Sequence, residues 1–413
     1  MTMPKPSLAV HVLFCVGLAV CTSATCSATC SANEFLISYW WGPPATDQSM
    51  ALIADAHFNV AVCEEGGTAL DLAEKHGLKV LMNDRRIRVM AKQEDDTGFA
   101  EGLAAVTQDY HDHPALWGYF ITDEPNASQF DNLAAIQREL LKHDAARVPF
   151  INLFPTYASP QQLGTDTYEQ HVDAFMRIVK PKVLSYDHYA LMQNGIRPDY
   201  FENLEIIRRA GLKYNTPFVY VLLSVPHFSY RDPSESDLRW QINTALAYGA
   251  QGIVYFTYMS LPETKDFEGW GEAIVTGDGK PTPRYDQVKR INAEVRVLGK
   301  VLTTLTSTAV YHTEPVPQGA TGLPVTDLVS SITGGELVIG HFRNDQGRRF
   351  ILFANRNPQA DVDVSITFST RVKLAEVRPD SGELQALETA NNGAATAWQT
   401  RFSAGQGRLI AID

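Results

Sequence analysis

From residue 34 to about residue 298, eight short apolar runs alternate with longer amphipathic stretches, and this alternation restricts the chain to very few folds. The runs are FLISYW (35–40), NVAVC (59–63), KVLMN (79–83), LWGYFIT (116–122), VPFINLF (148–154), KVLSYD (182–187), FVYVLL (218–223) and GIVYFTY (252–258). Each is nearly continuous in apolar residues, as a strand buried on both faces must be. Between them, Leu133, Ile136, Leu140 and Leu141 recur at helical spacing over 131–143, and 238–248 is a second helical stretch. His76-Gly77, Ala210-Gly211 and Tyr248-Gly249 mark helix ends ahead of a new strand. Strands that alternate with helices form a parallel sheet covered on both faces. Eight such units fit a closed (β/α)8 TIM barrel, whose typical size is about 250 residues. An open doubly wound sheet carries a Gly-rich turn after its first strand. Here that position reads YWWGPP (39–44), which suits a sugar-stacking rim better than a phosphate cradle.

Beyond residue 298 the texture changes to short β-type runs: DLVSSI, GELVIGHF, RRFILFAN, DVDVSITF, VKLAEV and RLIAID. Turns fall at Gly334-Gly335, at 344–347 and at 379–382. This pattern predicts a small C-terminal β-sandwich domain over 304–413, joined through a linker near 303–324 to a barrel over 33–303.

The first 32 residues read as an export signal. Lys5 precedes an apolar run over 8–20, too short for the ~20 residues a membrane span needs. Small residues follow, and Ser31-Ala32 offers a cleavage point before Asn33. A lipoprotein-type cut before Cys21 is disfavoured by the bulky Val20. The expected location is therefore secreted or periplasmic. Four of the five cysteines (Cys15, Cys21, Cys26 and Cys30) lie in this segment, which leaves Cys63 as a buried structural thiol and the mature chain without an internal disulfide. A net charge of −12 argues against nucleic acid or an anionic membrane surface as partner. No CxxC, HExxH or Walker-type motif is present, so no metal and no nucleotide cofactor is indicated.

In a barrel of this kind the site lies at the C-terminal ends of the strands. That rule selects Glu64 and Glu65 after the second strand, Asp84 after the third, Asp123-Glu124 after the fourth and Asp187 after the sixth. The fourth strand is the most informative, because a fully apolar run ends at once in two acids and Pro125 stops it. Mutual repulsion and burial both raise carboxyl pKa values, which keeps a proton available for general-acid work. Asp123, Glu124 and Asp187 are the candidate catalytic residues. The bland alternative is a solvated turn capped by Asp123 or Asn126. Asp84 has its own bland alternative in charge pairing with Arg85 and Arg86. Candidate substrate-binding residues are Tyr39, Trp40, Trp41, Glu64, Asp84, Tyr186, His188, Tyr189, His227 and Tyr258. Sugar rings present flat C–H faces to aromatic side chains, and carboxylates bond their hydroxyls, although aromatics are also ordinary core material. Asn126-Ala127-Ser128 matches a glycosylation sequon, but a bulky glycan beside the site is not expected.

WGYFITDEP, LSYDHYAL, LRWQINTALAYGAQGIVYFTY and GKPTPRYDQVKRINAEVRVLG follow one another along the barrel. Together they resemble glycoside hydrolases related to the family 42 β-galactosidases and other members of the large retaining clan, over residues 34–298. The resemblance implies glycosidic-bond hydrolysis of a carbohydrate substrate. In that clan the acid/base glutamate follows an asparagine at the fourth strand's end. Glu124 takes the glutamate position here, and Asp123 replaces the asparagine. The clan's nucleophilic glutamate ends the seventh strand, whereas FVYVLLSVPHFS has no carboxylate before Asp232.

Three explanations follow from this departure. The nucleophile comes from elsewhere, such as Asp187, Glu263 or Glu268. The enzyme inverts, with Asp187 or Glu64 as base at a carboxyl separation of ~6.5–9.5 Å. Or the substrate supplies its own nucleophile, as in hexosaminidases of families 20 and 123, which Asp123-Glu124 resembles. In that resemblance the aspartate positions an acetamido group and Tyr189 or Tyr258 bonds its oxygen. A non-catalytic carbohydrate-binding barrel is the competing class.

Overall fold

The computed structural model describes residues 34–64, 66–93, 98–265 and 267–413. The expected export signal, its four cysteines and Glu65 lie outside the described residues. Eight parallel strands form a nearly closed barrel: β1 (Leu36–Tyr39), β2 (Val60–Glu64), β3 (Lys79–Asn83), β4 (Leu116–Asp123), β5 (Val148–Leu153), β6 (Leu184–Asp187), β7 (Phe218–Leu223) and β8 (Gly252–Phe256). Pairing runs in sequence order from β2 to β8 and then to β1. The remaining seam between β1 and β2 is bridged by Asn59. Its backbone N–H donates to Ile37 O at 3.1 Å. Its side-chain oxygen accepts from Ile37 N at 2.7 Å.

Successive strand residues point to opposite faces. Leu36, Val60, Leu81, Trp117, Phe150, Val183, Val219, Val221 and Val254 fill the barrel interior. The alternate residues, including Ile37, Val80, Tyr119, Ile151, Leu184 and Tyr255, face the helix layer. The helices are locally specified. Phe130–His143 buries Leu133, Ile136 and Leu140, as their spacing predicts. Glu235–Ala247 opens with Ser234, whose side chain accepts from Asp237 N in a capping box. Gly249, at φ +97°, turns the chain after that helix toward β8.

The C-terminal residues form a six-stranded and a four-stranded antiparallel sheet. Ile339, Ile351, Phe353 and Ile410 of the larger sheet share one core with Val364, Ile366, Trp398 and Phe402 of the smaller. The segment expected as a linker instead supplies an edge strand, Leu305–His312, paired with Leu337–Asn344. The outer face of the larger sheet is not solvated. Val338, Phe342, Phe350 and Leu352 join the cluster that contains the barrel helices. The contact is centred on the helix Glu235–Ala247. Trp240 is fully buried and its indole N–H donates to Arg356 O at 2.9 Å.

Gly340 lies in this interface, where an added Cβ would stand 2.0 Å from Ala247 O. Backbone cannot yield there as a flexible side chain would. Gly340→Ala is therefore expected to cost about 1–3 kcal/mol and to lower the thermal midpoint measured by calorimetry. An unchanged midpoint would show that the sheet does not pack this closely on the helix.

Candidate active site

The C-terminal mouth of the barrel opens into a cleft of about 1080 Å³. Ligand pockets commonly run from roughly 300 to 1,000 Å³. Its wall includes Trp40, Trp41, Glu64, Asn83, Phe120, Asp123, Phe256 and Phe267. Trp40 meets Phe120 edge-on at 5.0 Å on the floor. Trp41, 41 % exposed, packs against Phe256, Phe267 and Trp270 at 5.6, 5.5 and 6.2 Å. The aromatic wall continues through His227, stacked on Trp270 at 4.2 Å, and through Tyr189, which lies 5.1 Å from Phe256.

Three carboxylates meet beside this wall. The pairing of β4 with β5 shifts register between Phe120 and Thr122, which brings Asp123 abreast of Asn152. Such irregularities re-aim side chains at barrel rims. Asn152 lies abreast of Ser185 on β6. The Asn152 amide donates to Asp123 Oδ1 at 3.1 Å and to Asp187 Oδ1 at 2.9 Å. Glu124 follows at φ +47°, a left-handed conformation that costs a non-glycine residue on the order of 1–3 kcal/mol. Its backbone N–H donates to Asn152 O at 2.8 Å. Pro125 and Asn126 then lead the chain away, with Asn126 capping a short 3-10 turn.

The electrostatics follow from this crowding. Asp123 faces the cleft, so water reaches it, while protein encloses its other sides. That enclosure raises its carboxyl to about 6, against the pull of the Asn152 amide and the Glu124 N–H. Glu124 rises to about 7, through burial first and the Asp123 charge second. Asp187 is 4 % exposed, and burial, then Glu124, then Asp123 hold its carboxyl well above the usual range. None of the three takes part in a salt bridge among the described residues.

The candidates divide cleanly. Asp123, Glu124 and Asp187 come together. Trp40, Trp41 and Glu64 line the cleft, with Glu64 accepting from Asn83 Nδ2 at 3.0 Å. Tyr189 stands near the acids, whose charges raise its phenol after burial does. His227 belongs to the aromatic wall. Five candidates are displaced from the cleft. Tyr39 and Tyr186 point outward from the wall, Tyr39 against Phe58 and Tyr186 against Phe218 and Tyr220. Tyr258 packs on Tyr39 and Phe58. Asp84, fully buried, caps the helix Arg85–Met90 and bonds Arg86 and Tyr110, so charge pairing is its role. His188, also fully buried, points behind the wall, with Nε2 3.5 Å from Asp199. Glu263 and Glu268, considered as replacement nucleophiles, are exposed. Cys63 is a buried free thiol, pushed to about 12 by burial.

Two contributors escaped the sequence reading. Asn152 had a signal, as an amide at the end of a barrel strand. Tyr157, on the loop after β5, had none; Asp187 raises its phenol after burial does, and its ring carries Arg197 at 4.0 Å. Among the described residues, no group of three or more His, Cys, Asp or Glu is arranged to hold a metal ion.

The chain matches no family model. No curated protein matches its sequence. Solved structures do resemble its fold. A protein described as a glycoside hydrolase aligns with TM-score 0.56 at 13% identity, covering 92% of each chain. A glycoside hydrolase family 5 protein from Bacteroides vulgatus aligns with TM-score 0.55 at 10% identity, covering 92% of this chain and 88% of that one. At these identities the likeness is one of fold: a parallel eight-stranded barrel followed by antiparallel sheets, present together in chains of similar extent.

Proposed function

We propose that the chain is an exported glycoside hydrolase in which Glu124 is the general acid/base. Residues 33–303 form its catalytic unit in this reading, and 304–413 form a β-rich partner that braces the barrel from outside. The observation that carries the reading is the meeting of Asp123, Glu124 and Asp187 at the barrel mouth, where Asp123 lines an aromatic-walled cleft and burial with the Asp123 charge raises the Glu124 carboxyl to about 7. Breaking a glycosidic bond requires a proton on the departing oxygen. An acid with a pKa near ambient pH still holds its proton and releases it readily. Trp40 and Trp41 offer flat faces to sugar rings, and Glu64 with Asn83 offers polar partners to hydroxyls. The barrel likeness to glycoside hydrolases raises the prior by analogy only. The apolar run over 8–20 and Lys5 support export.

A second reading concerns what attacks the anomeric carbon. Asp123 lines the cleft, whereas Asp187 is sealed behind it at 4 % exposure. β7 ends at Leu223 and continues into Ser224, so it brings no carboxylate to the mouth. An aspartate next to the acid, with no carboxylate on β7, favours a substrate that supplies its own. In this reading Asp123 orients a 2-acetamido group whose oxygen closes on the anomeric carbon, and Glu124 protonates the leaving group. Tyr189, which feels the charges of the acids while Tyr258 packs on Tyr39 and Phe58, is the partner of the acetamido oxygen in this reading.

Glu124→Gln keeps shape and removes the proton. Turnover of a responsive glycan should fall by at least two orders of magnitude, with the thermal midpoint preserved. Retention of more than a few per cent of activity would exclude Glu124 as the acid. Glycan binding by calorimetry without any released product would instead favour a binding barrel. Digestion of a glycan panel separates the two hydrolytic readings. Cleavage confined to 2-acetamido sugars, with inhibition by a thiazoline mimic, supports substrate assistance, and cleavage of sugars lacking that group rejects it.

The pH profile carries a signed expectation. Glu124 must be protonated to act, so activity should decline as pH rises through about 7. The Asp123 charge is one cause of that elevation. Asp123→Asn removes it, so the alkaline limb of kcat/KM should move to lower pH. A limb that stays in place or moves up would show that Glu124 does not govern it.

A further inference from the structure

Asn152 is 2 % exposed, and each of its polar groups at the site is committed. One amide N–H goes to Asp123 and the other to Asp187. Its side-chain oxygen accepts from Ser185 Oγ at 2.8 Å. Its backbone oxygen accepts from Glu124 N. An amide has two donors and one carbonyl, and each has a partner here. Turning the amide over would aim its oxygen at two carboxylates, which have no proton to offer it when ionised. The acids therefore select the orientation in which both N–H groups face them, and the Ser185 hydroxyl braces the carbonyl in that orientation. One residue thus contacts the end of β4, the side chain ending β6 and the backbone of the proposed acid.

We propose that Asn152, locked by Ser185, is the positioning residue of this site, holding Asp123 and Asp187 at one spacing and biasing both toward their charged forms. The proposal rests on the glycosidase reading for its catalytic meaning. A hydrogen bond donated to a carboxylate favours ionisation. Here two N–H groups from one neutral donor oppose the burial and mutual repulsion that favour protonation. A lysine in this place would tie the acids by charge and abolish the elevated proton affinity. An aliphatic residue would leave both to protonate. The other titratable groups within electrostatic reach of the pair are Glu124, Tyr157, Tyr168, Tyr186 and Tyr189. None of these is a cation, and His188 is turned toward Asp199.

The test uses the full chain with 13C-labelled aspartate carboxyls, followed by NMR across pH, with Asp123→Asn and Asp187→Asn as assignment controls. In Asn152→Ala both carboxyl titrations should move up by roughly one pH unit or more, because a bond to a charged group is lost. Ser185→Ala should move them the same way by less. The acidic limb of kcat/KM should follow. Titrations that stay in place while activity or thermal midpoint falls evenly at all pH values would overturn the proposal and leave Asn152 a packing residue. If Asn152→Ala does not fold, Ser185→Ala decides: unmoved titrations there reject the lock. Titrations that shift in a chain that turns over no glycan would keep the positioning role and discard the glycosidase reading.

Discussion

Everything at the mouth of this barrel depends on the two-residue alternation of its strands. A strand can place a side chain inside the wall or behind it, and its neighbour must take the other side. Ser185 and Asp187 face in, so Leu184 and Tyr186 face out. Trp40 looks into the cleft, so Tyr39 lies under the helices. The same alternation that builds a dry interior from Val60, Phe150 and Val254 delivers Glu64, Asn152 and Phe256 to its open end. The site is the last layer of the barrel's filling, with polar atoms where the lower layers have valine.

That origin explains the chemistry. The carboxylates stand on an apolar floor that encloses Glu124 and Asp187 most, and Asp123 then raises Glu124 while both raise Asp187. Elevated acids of this kind oppose stability at neutral pH: their favourable state is the protonated one, lost as pH rises through the folded-state values. The fold tolerates this because Asn152 supplies two donors and because the surrounding wall is held from behind. Strain at Glu124 belongs to the same economy of proximity. A left-handed residue after β4 turns the chain sharply enough to leave two consecutive acids at one rim.

Much of this was legible in the sequence. All eight strands appear where their apolar runs lie, within about two residues at either end. The pair after LWGYFIT stands at the barrel mouth, as an abrupt acidic stop on a buried strand predicts, and Asp123 lines the cleft. Choosing binding residues by nearness to a strand end was less successful. Tyr39, Asp84, Tyr186 and His188 all sit one position from an inward neighbour, and parity sends them outward. Counting from Leu36, Leu81 or Val183 would have sorted them beforehand. Asp84 and His188 continue the alternation one step past their strands, whereas Tyr258 lies two residues past the end of β8, beyond its reach. Asn152 went unnoticed because a neutral amide does not advertise itself as chemistry, and Tyr157 because loop geometry is not written in local spacing. The strand Leu305–His312 was hidden by its own modest hydrophobicity; it is held by pairing with Leu337–Asn344 more than by burial.

The helix Glu235–Ala247 belongs to two interiors at once. Leu238, Trp240, Gln241 and Leu246 are fully buried, and a polar outer face is almost absent. Such a helix has no surface left to expose if its C-terminal neighbour is removed. The two halves of the chain are therefore not interchangeable modules in the manner of a catalytic unit with a tethered accessory. A barrel cut free at residue 303 would present a greasy stripe behind β7, and a transplanted C-terminal half would carry the matching one. Shuffling of this architecture in evolution must move both halves together, or redesign the stripe first.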